Sequence, residues 1–305
     1  MDYDVIIIGG SFAGLSAGMQ LARARRAVLV LDSGAPRNRF ATASHGFPGQ
    51  DGRSPGEIRT TLRAELGLYP TIQFREAEAI AASRQKEGFG LSLSTGEEVS
   101  ARRLVLAYGV RDTLPDLPGV AERWGGSVLH CPYCHGYELN QQPVGVLAQN
   151  ESAIHQAILL PDWGPTTLFT QGSFTPMADQ RQALEARGVT VEEIPITGLT
   201  GTAPALEAVQ LADGRKIPLA GLFIAPQTAP STEIGAMLHC AVKDGPTGPY
   251  LDVDAMQTTS VPGVFAAGDL ANPMANATLA AAAGVVAGVA AHQSLIFDPD
   301  LTKAA

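Results

Sequence analysis

The stretch DVIIIGGSFAGLSAGMQLARARRAVLVLD, residues 4–32, constrains the fold more than any other part of the chain. Val5 to Ile8 form a continuous apolar run, the pattern of a strand buried on both faces of a parallel sheet. Gly9 to Gly14 form a glycine-rich turn. Ala13 to Arg25, with apolar Leu15, Met19 and Leu21, predict a helix. Val28 to Leu31 predict a second buried strand, which Asp32 closes. Parallel strands need a crossover, so strand, turn, helix and strand make one βαβ unit. The expected fold class is therefore α/β with three-layer, Rossmann-like domains.

Such a unit is the arrangement that holds a dinucleotide. The pyrophosphate sits at the helix N-terminus and the acidic residue takes a ribose hydroxyl. The glycine pattern departs from the ideal in one place: Gly9-Gly10-Ser11-Phe12-Ala13-Gly14 has Ser11 where the second glycine is expected. Serine is small enough to keep the close approach.

Further along, residues 35–56 (APRNRFATASHGFPGQDGRSPG) read as a long functional loop. Glu57 to Leu66 predict a helix, and LVLAYG, residues 104–109, a buried strand ending in Gly109. LPDLPG at 114–119 marks a boundary. A second βαβ-like unit starts near Pro143, with strands at Val144 to Leu147 and Thr167 to Thr170 and a helix at Ser152 to Leu160. The chain thus carries an internal duplication of architecture. GLFIAP, residues 221–226, and VPGVFAAGDL, residues 261–270, add two strands. Thr278 to Leu295 predict an Ala-rich helix whose Gly284 and Gly288 allow close packing.

A chain of 305 residues accommodates one large or two medium domains. Its net charge of -9 and its lack of a basic run argue against nucleic acid or an anionic membrane as partner. The acidic N-terminus lacks the pattern of a secretory signal, and AAAGVVAGVAA at 281–291 is too short and small-sided to span a bilayer. The expected location is cytoplasmic. There, a close cysteine pair is catalytic or metal-binding more often than structural.

That pair lies in CPYCHGYE, residues 131–138. C-x-x-C can be a redox dithiol, half a zinc site or, with His135, a haem attachment point. Zinc needs four ligands, and no second C-x-x-C or H-x-x-x-H appears, so no metal is expected. Covalent haem goes with export, which the N-terminus does not support. A redox dithiol is favoured. Cys240 stands alone in MLHCAVKD and reads as a packed core thiol. Tyr133 and Tyr137 read as packing or access residues; His45 and His130 could help at the site, but such histidines are more often structural.

IIIGGSFAG, LAYG, CPYCHGYE and SVPGVFAAGD, in this order, make the chain resemble the low-molecular-weight thioredoxin reductase family of flavoproteins. The resemblance covers nearly the whole chain. It implies a discontinuous FAD domain, residues 1–112 and 241–305, with a second NAD(P)-binding-like domain, residues 113–240, inserted and carrying the cysteine pair. It implies a homodimer acting on a dithiol or disulfide substrate, either a small molecule or a thioredoxin-like protein. FAD contacts are implied at Gly9, Ser11, Ala13, Gly14, Asp32, Asn38, Ala77, Ala107, Gly109, Gly268 and Asp269. Asn276, Ala277 and Thr278 would face the flavin ring at a helix N-terminus, whose dipole favours negative charge on a reduced flavin. Cys134 would face the flavin, Cys131 would exchange with substrate, and His135 would carry protons where the family more commonly has aspartate.

The inserted domain departs from the family. Where G-x-G-x-x-A should bind NADPH, the chain reads Ala148-Gln149-Asn150-Glu151-Ser152-Ala153. Where a His-Arg-Arg stretch should pair the 2′-phosphate, it reads Thr170-Gln171-Gly172. The expectation is an FAD-dependent thiol/disulfide oxidoreductase that works without NADPH, like the dithiol oxidases with C-x-x-C-H-G-[YW]-E. The alternatives are an NAD(P)H-dependent disulfide reductase with an atypical nucleotide site, and a flavin-binding sensor or scaffold.

Overall fold

The computed structural model describes residues 1–274 and 276–298. In chain order the elements that frame the sites are β1 (Tyr3–Ile8), α1 (Phe12–Arg23), β2 (Val28–Asp32), α2 (Pro55–Leu66), β3 (Ile72–Glu76), β4 (Ala79–Gln85), β5 (Gly88–Leu93) and β6 (Glu98–Leu106). There follow β7 (Val128–Leu129), α3 (Pro132–His135), β8 (Val144–Leu147), α4 (Ala153–Leu159), β9 (Thr166–Phe169), α5 (Ala178–Ala186), β10 (Thr190–Glu192) and β11 (Gly221–Ile224). The last two are β12 (Val264–Ala266) and α6 (Ala277–Phe297). The chain divides into two compact units. Met1–Arg39, Pro55–Arg111 and the chain from Thr228 on form the first; Phe40–Ser54 and Asp112–Gln227 form the second.

In the first unit the sheet runs β3-β2-β1-β6, all parallel, and β12 also pairs with β6. Beyond β6 the antiparallel strands β5 and β4 extend it. The apolar run of β1 feeds both faces because side chains alternate across a strand. Val5 and Ile7 join Leu15, Ala17, Leu21, Ala287 and Ala291 on the helix side. Ile6 and Ile8 join Phe89, Leu91, Leu104 and Ile234 on the other.

Helices α1 and α6 cross in close contact. A Cβ on Gly284 would meet the carbonyl of Ala13, and one on Gly288 would come 2.6 Å from that of Ala17. By length and composition α6 could also cross a membrane, yet Gly284, Ala287, Gly288, Ala291 and Leu295 are buried in this unit. Its C-terminal end is held by Arg103, fully buried on β6. The Arg103 guanidinium donates to Ser294 Oγ at 2.9 Å, the Ser294 carbonyl at 3.0 Å and the Asp298 carbonyl at 2.7 Å. These acceptors offset the cost of burying a cation.

The second unit repeats the order. Its parallel sheet runs β10-β9-β8-β11-β7. Ala153, Ile154 and Ala157 of α4 and Leu184 of α5 pack on Val144, Val146 and Leu168. An antiparallel meander, Ile196–Thr200, Ala208–Leu211 and Lys216–Pro218, covers the other face through Ile196, Val209 and Leu211.

Candidate functional site

In the first unit, parallel pairing puts the C-terminal ends of β1, β2, β3, β6 and β12 on one edge of the sheet. Ligands bind at such an edge in doubly wound folds. Gly9 follows β1, Asp32 ends β2, Ala77 follows β3, Ala107 follows β6, and Gly268 and Asp269 stand just beyond β12. Gly9 has φ +122°, and a Cβ there would strike the Ala107 carbonyl. A Cβ on Gly14 would strike the Gly9 carbonyl, so the turn closes onto α1 only with glycine at both positions. Ser11 is the N-cap residue of α1 and makes no side-chain cap hydrogen bond. Ala13 lies buried in the first turn of the helix.

Asp32 accepts a hydrogen bond from Gly34 N–H at 2.9 Å and lies 3.6 Å from Arg63 Nη1. Beside it opens a cavity of about 460 Å³, lined among others by Arg59, Arg63, Glu76 and Ala77. Arg59 Nη1 is buried there without a hydrogen-bond partner. Asn38 sits in a 3-10 turn, Arg37–Phe40, whose Arg37 pairs with Asp269 at 2.9 Å. Gly109 and Gly268 adopt positive φ, +70° and +79°. Asn276 is the N-cap of α6: its Oδ1 accepts from Thr278 N–H at 2.8 Å and Leu279 N–H at 3.2 Å, with Ala277 at the first helical position. The residues fit FAD in kind: a glycine cradle at one helix N-terminus, an acid beside a cavity, and a second helix N-terminus. Sequence reading missed Arg37, Arg59 and Arg63, since a lone arginine in a loop or helix announces no partner.

In the second unit Cys131 and Cys134 form a disulfide with a Cα separation of 5.4 Å. Cys131 is the N-cap of α3, and Pro132 occupies its first position, where a missing N–H costs nothing. Gly136 N–H donates to the Pro132 carbonyl at 2.7 Å and closes the turn. A side chain on Gly136 would run into the Trp163 ring, 2.5 Å from its Cδ1. Tyr133 meets the same ring edge-on at 5.2 Å. On the strand side, Gln156 Nε2 donates to the His130 carbonyl at 2.8 Å and fixes the entry to Cys131. His130 stacks at a tilt with Trp124, ring centroids 6.3 Å apart.

His135 ends the helix, partly buried. Burial pushes its imidazole below the ordinary value; the nearby Glu138 carboxylate pulls it back up and His45 lowers it further. Cys240 is buried, 3.8 Å from Thr259 Oγ1, and burial raises its thiol. It packs in the first unit's core. Among the described residues no group of three or more His, Cys, Asp or Glu could hold a metal ion.

The second dinucleotide-like turn differs from the first. Asn150 Oδ1 accepts from Ser152 N–H at 2.9 Å and also from the Ser152 hydroxyl. The Asn150 side-chain oxygen therefore occupies the Ser152 N–H. Beyond β9, Gln171 at φ +59° accepts from Ile196 N–H at 3.2 Å. The arginines around β10 are engaged: Arg215 with Glu192 at 2.8 Å and Arg181 with Glu193 at 3.3 Å.

Comparison with known proteins agrees with this layout. The family model described as pyridine nucleotide-disulphide oxidoreductase matches residues 3–159 and 167–284. The protein named thioredoxin reductase tcpT from Claviceps purpurea (strain 20.1) is 32% identical, over 97% of this chain and 95% of its own length. Among solved structures, an oxidoreductase from Agrobacterium tumefaciens is 49% identical with a TM-score of 0.93, covering 97% of this chain and 99% of its own. The crystal structure of HlmI is 38% identical with a TM-score of 0.90, covering 97% and 93%. Proteins of this family with thioredoxin reductase-like architecture are FAD-binding flavoproteins. The glycine cradle, the acid at the end of β2, the repeated parallel sheet and the cysteine pair all fit that relationship, and the chain belongs to the pyridine nucleotide-disulphide oxidoreductase family, in its thioredoxin reductase-like part.

Proposed function

We propose that the protein is an FAD-dependent thiol/disulfide oxidoreductase that oxidises a dithiol substrate without NADPH. The observation that carries the second half is the Asn150 cap on Ser152 N–H, in the turn where the NADPH pyrophosphate would need free donors. No glycine opens that turn, and Thr170-Gln171-Gly172 offers no cation to a 2′-phosphate. The Gly9–Gly14 turn, Asp32 and the α6 N-terminus would hold FAD. Bound FAD supplies the two-electron acceptor that returns the cysteine pair to the disulfide, with oxygen or another acceptor as the final sink.

The chain's own residues do the exchange. His135 takes the proton of a substrate thiol. The substrate thiolate attacks Cys131 Sγ, the Cys131–Cys134 bond breaks, and Cys134 leaves as thiolate. The second substrate thiol then attacks the sulfur bound to Cys131 and passes its proton to the departing Cys131 sulfur. The substrate departs as a disulfide and Cys131 is released.

The names of the fungal relatives favour a second reading, a nicotinamide-dependent disulfide reductase with an atypical nucleotide site. An anaerobic titration of the yellow protein decides between them. Bleaching by a small dithiol but not by NADPH or NADH, with colour and peroxide returning in air, supports the oxidase. Rapid bleaching by micromolar NADPH supports the reductase.

A further inference from the structure

The loop at residues 40–54 belongs to the same compact unit as the cysteine pair, although more than seventy residues separate them in sequence. It is a closed structure. Ser44 N–H donates to the Arg53 carbonyl at 2.7 Å, and Gly52 N–H returns to the Ser44 carbonyl at 2.9 Å. Asp51 Oδ1 accepts from Gly46 N–H at 3.0 Å. The closure fixes His45 between two carboxylates: Nδ1 lies 3.5 Å from Asp51 Oδ1, and Nε2 lies 3.4 Å from Glu138 Oε1. Glu138 in turn stands three residues after His135, in the 3-10 turn Tyr137–Leu139.

We propose that His45 and Glu138 form the proton exit of the redox site, with His45 a positioning and relay residue that acts through Glu138 on His135. The inference rests on the dithiol-oxidising function proposed above, which leaves one substrate proton on His135 per exchange. That proton passes to the Glu138 carboxylate and on to His45 Nε2. The proton on Nδ1 then leaves by way of Asp51 to water. One proton enters the chain of groups and one leaves, and no electrons move. An imidazole suits the task because it can accept at one nitrogen while releasing at the other. The last group of the path is the most exposed: the Asp51 side chain is 68% exposed, against 44% for Glu138 and 21% for His45. The separations of 3.4–3.5 Å are those of resting geometry, which tightens or takes in a water when substrate is bound. The groups that act on His135 are Glu138, which raises its proton affinity, and His45, which lowers it. The paired cysteines do not titrate while the disulfide is closed.

The test uses the FAD-loaded protein with labelled histidines, of which there are six. The His135 titration midpoint is followed by NMR in the wild type, His45→Gln and Glu138→Gln. The expected result is an upward shift in His45→Gln and a downward shift in Glu138→Gln. Loosening of the loop or helix would move both upward, toward the value of an exposed imidazole, so the opposite signs separate coupling from damage. Anaerobic stopped-flow reduction by a small dithiol should slow about tenfold in His45→Gln, and added imidazole should restore it. Unshifted midpoints, or shifts of one sign, overturn the relay whether or not a dithiol reduces the protein. Correct shifts with unchanged reduction rates also overturn it, because the coupling would then carry no proton that limits turnover. A wild type that no dithiol reduces defeats the functional reading, and with it the relay's purpose, even where the midpoints move as expected.

Discussion

In the proposed mechanism His135 carries the pH dependence of the cysteine site. Burial is the largest influence on it and moves the imidazole below its ordinary value of 6.5. Its neutral, proton-accepting form therefore persists to lower pH than in an exposed histidine. The same shift has a stability sign. The unfolded chain binds the proton more readily, so the contribution is fully present above the ordinary imidazole value and is lost as pH falls through the lower folded value. We expect dithiol-driven flavin reduction to show an acidic limb centred below 6.5. His135→Gln should remove that limb and slow the step about a hundredfold, a typical general-base contribution. In urea titrations His135→Gln should also flatten the dependence of stability on pH within that window. A limb that survives in His135→Gln would assign it to another group. His135 could be found in the sequence because it adjoins the cysteines. The Arg37–Asp269 pair could not, because its partners lie 232 residues apart and only the fold brings them together.

At the scale of elements, the crossing of α1 and α6 ties the two helix N-termini of the first unit to each other. Gly284 and Gly288 let α6 approach the backbone of Ala13 and Ala17. Any side chain at Gly284 must push the helices apart, and backbone cannot yield as a flexible side chain can. Gly284→Val should cost about 1–3 kcal/mol, the usual range for overpacking. It should also weaken FAD retention, since Gly9–Gly14 and Asn276–Thr278 sit at the ends of these helices. Gly56 provides the control. It lies in α2 with nothing within 4 Å of an added Cβ. Gly56→Ala should leave the Tm unchanged or raise it, because alanine suits a helix better by about 0.5–1 kcal/mol. Equal melting shifts in the two variants would refute the packing argument. The glycines within the Ala-rich pattern announced a close contact, and the helix itself, at Ala277–Phe297, was legible from composition and length. Its partner was not, because a helix-packing motif names the need for a neighbour without identifying it. Arg103 makes the same point: a charged residue in the strand-like run SARRLVL gives no sign that it is buried beneath the end of α6.

At the scale of the whole molecule, one chain contains two parallel sheets with the same strand order, β3-β2-β1-β6 and β10-β9-β8-β11. The duplication was legible because buried parallel strands leave continuous apolar runs, VIII in one and VGVL in the other. What each copy binds depends on the turn after its first strand, and there the two have diverged. The first turn has backbone room that only glycine leaves. The second leads into a seven-residue helix, with Asn150 Oδ1 accepting from Ser152 N–H. The missing glycines could be read from sequence; the Asn150 amide filling the vacated donor could not, since that depends on the turn's conformation. Hydrogen exchange reads the consequence without reference to activity. A ligand that binds the native state at about a hundred times its Kd contributes about 2.7 kcal/mol against opening. Removing FAD should speed exchange at residues 9–14, and restoring it should slow exchange again. Millimolar NADPH added to the FAD-loaded protein should leave exchange at residues 148–153 unchanged. In Asn150→Gly with Gln171→Arg, where the donor is freed and a cation restored, NADPH should begin to protect that turn. Protection of the wild-type turn by NADPH would show that this sheet still holds a nucleotide, and the electron donor would then have to be sought there.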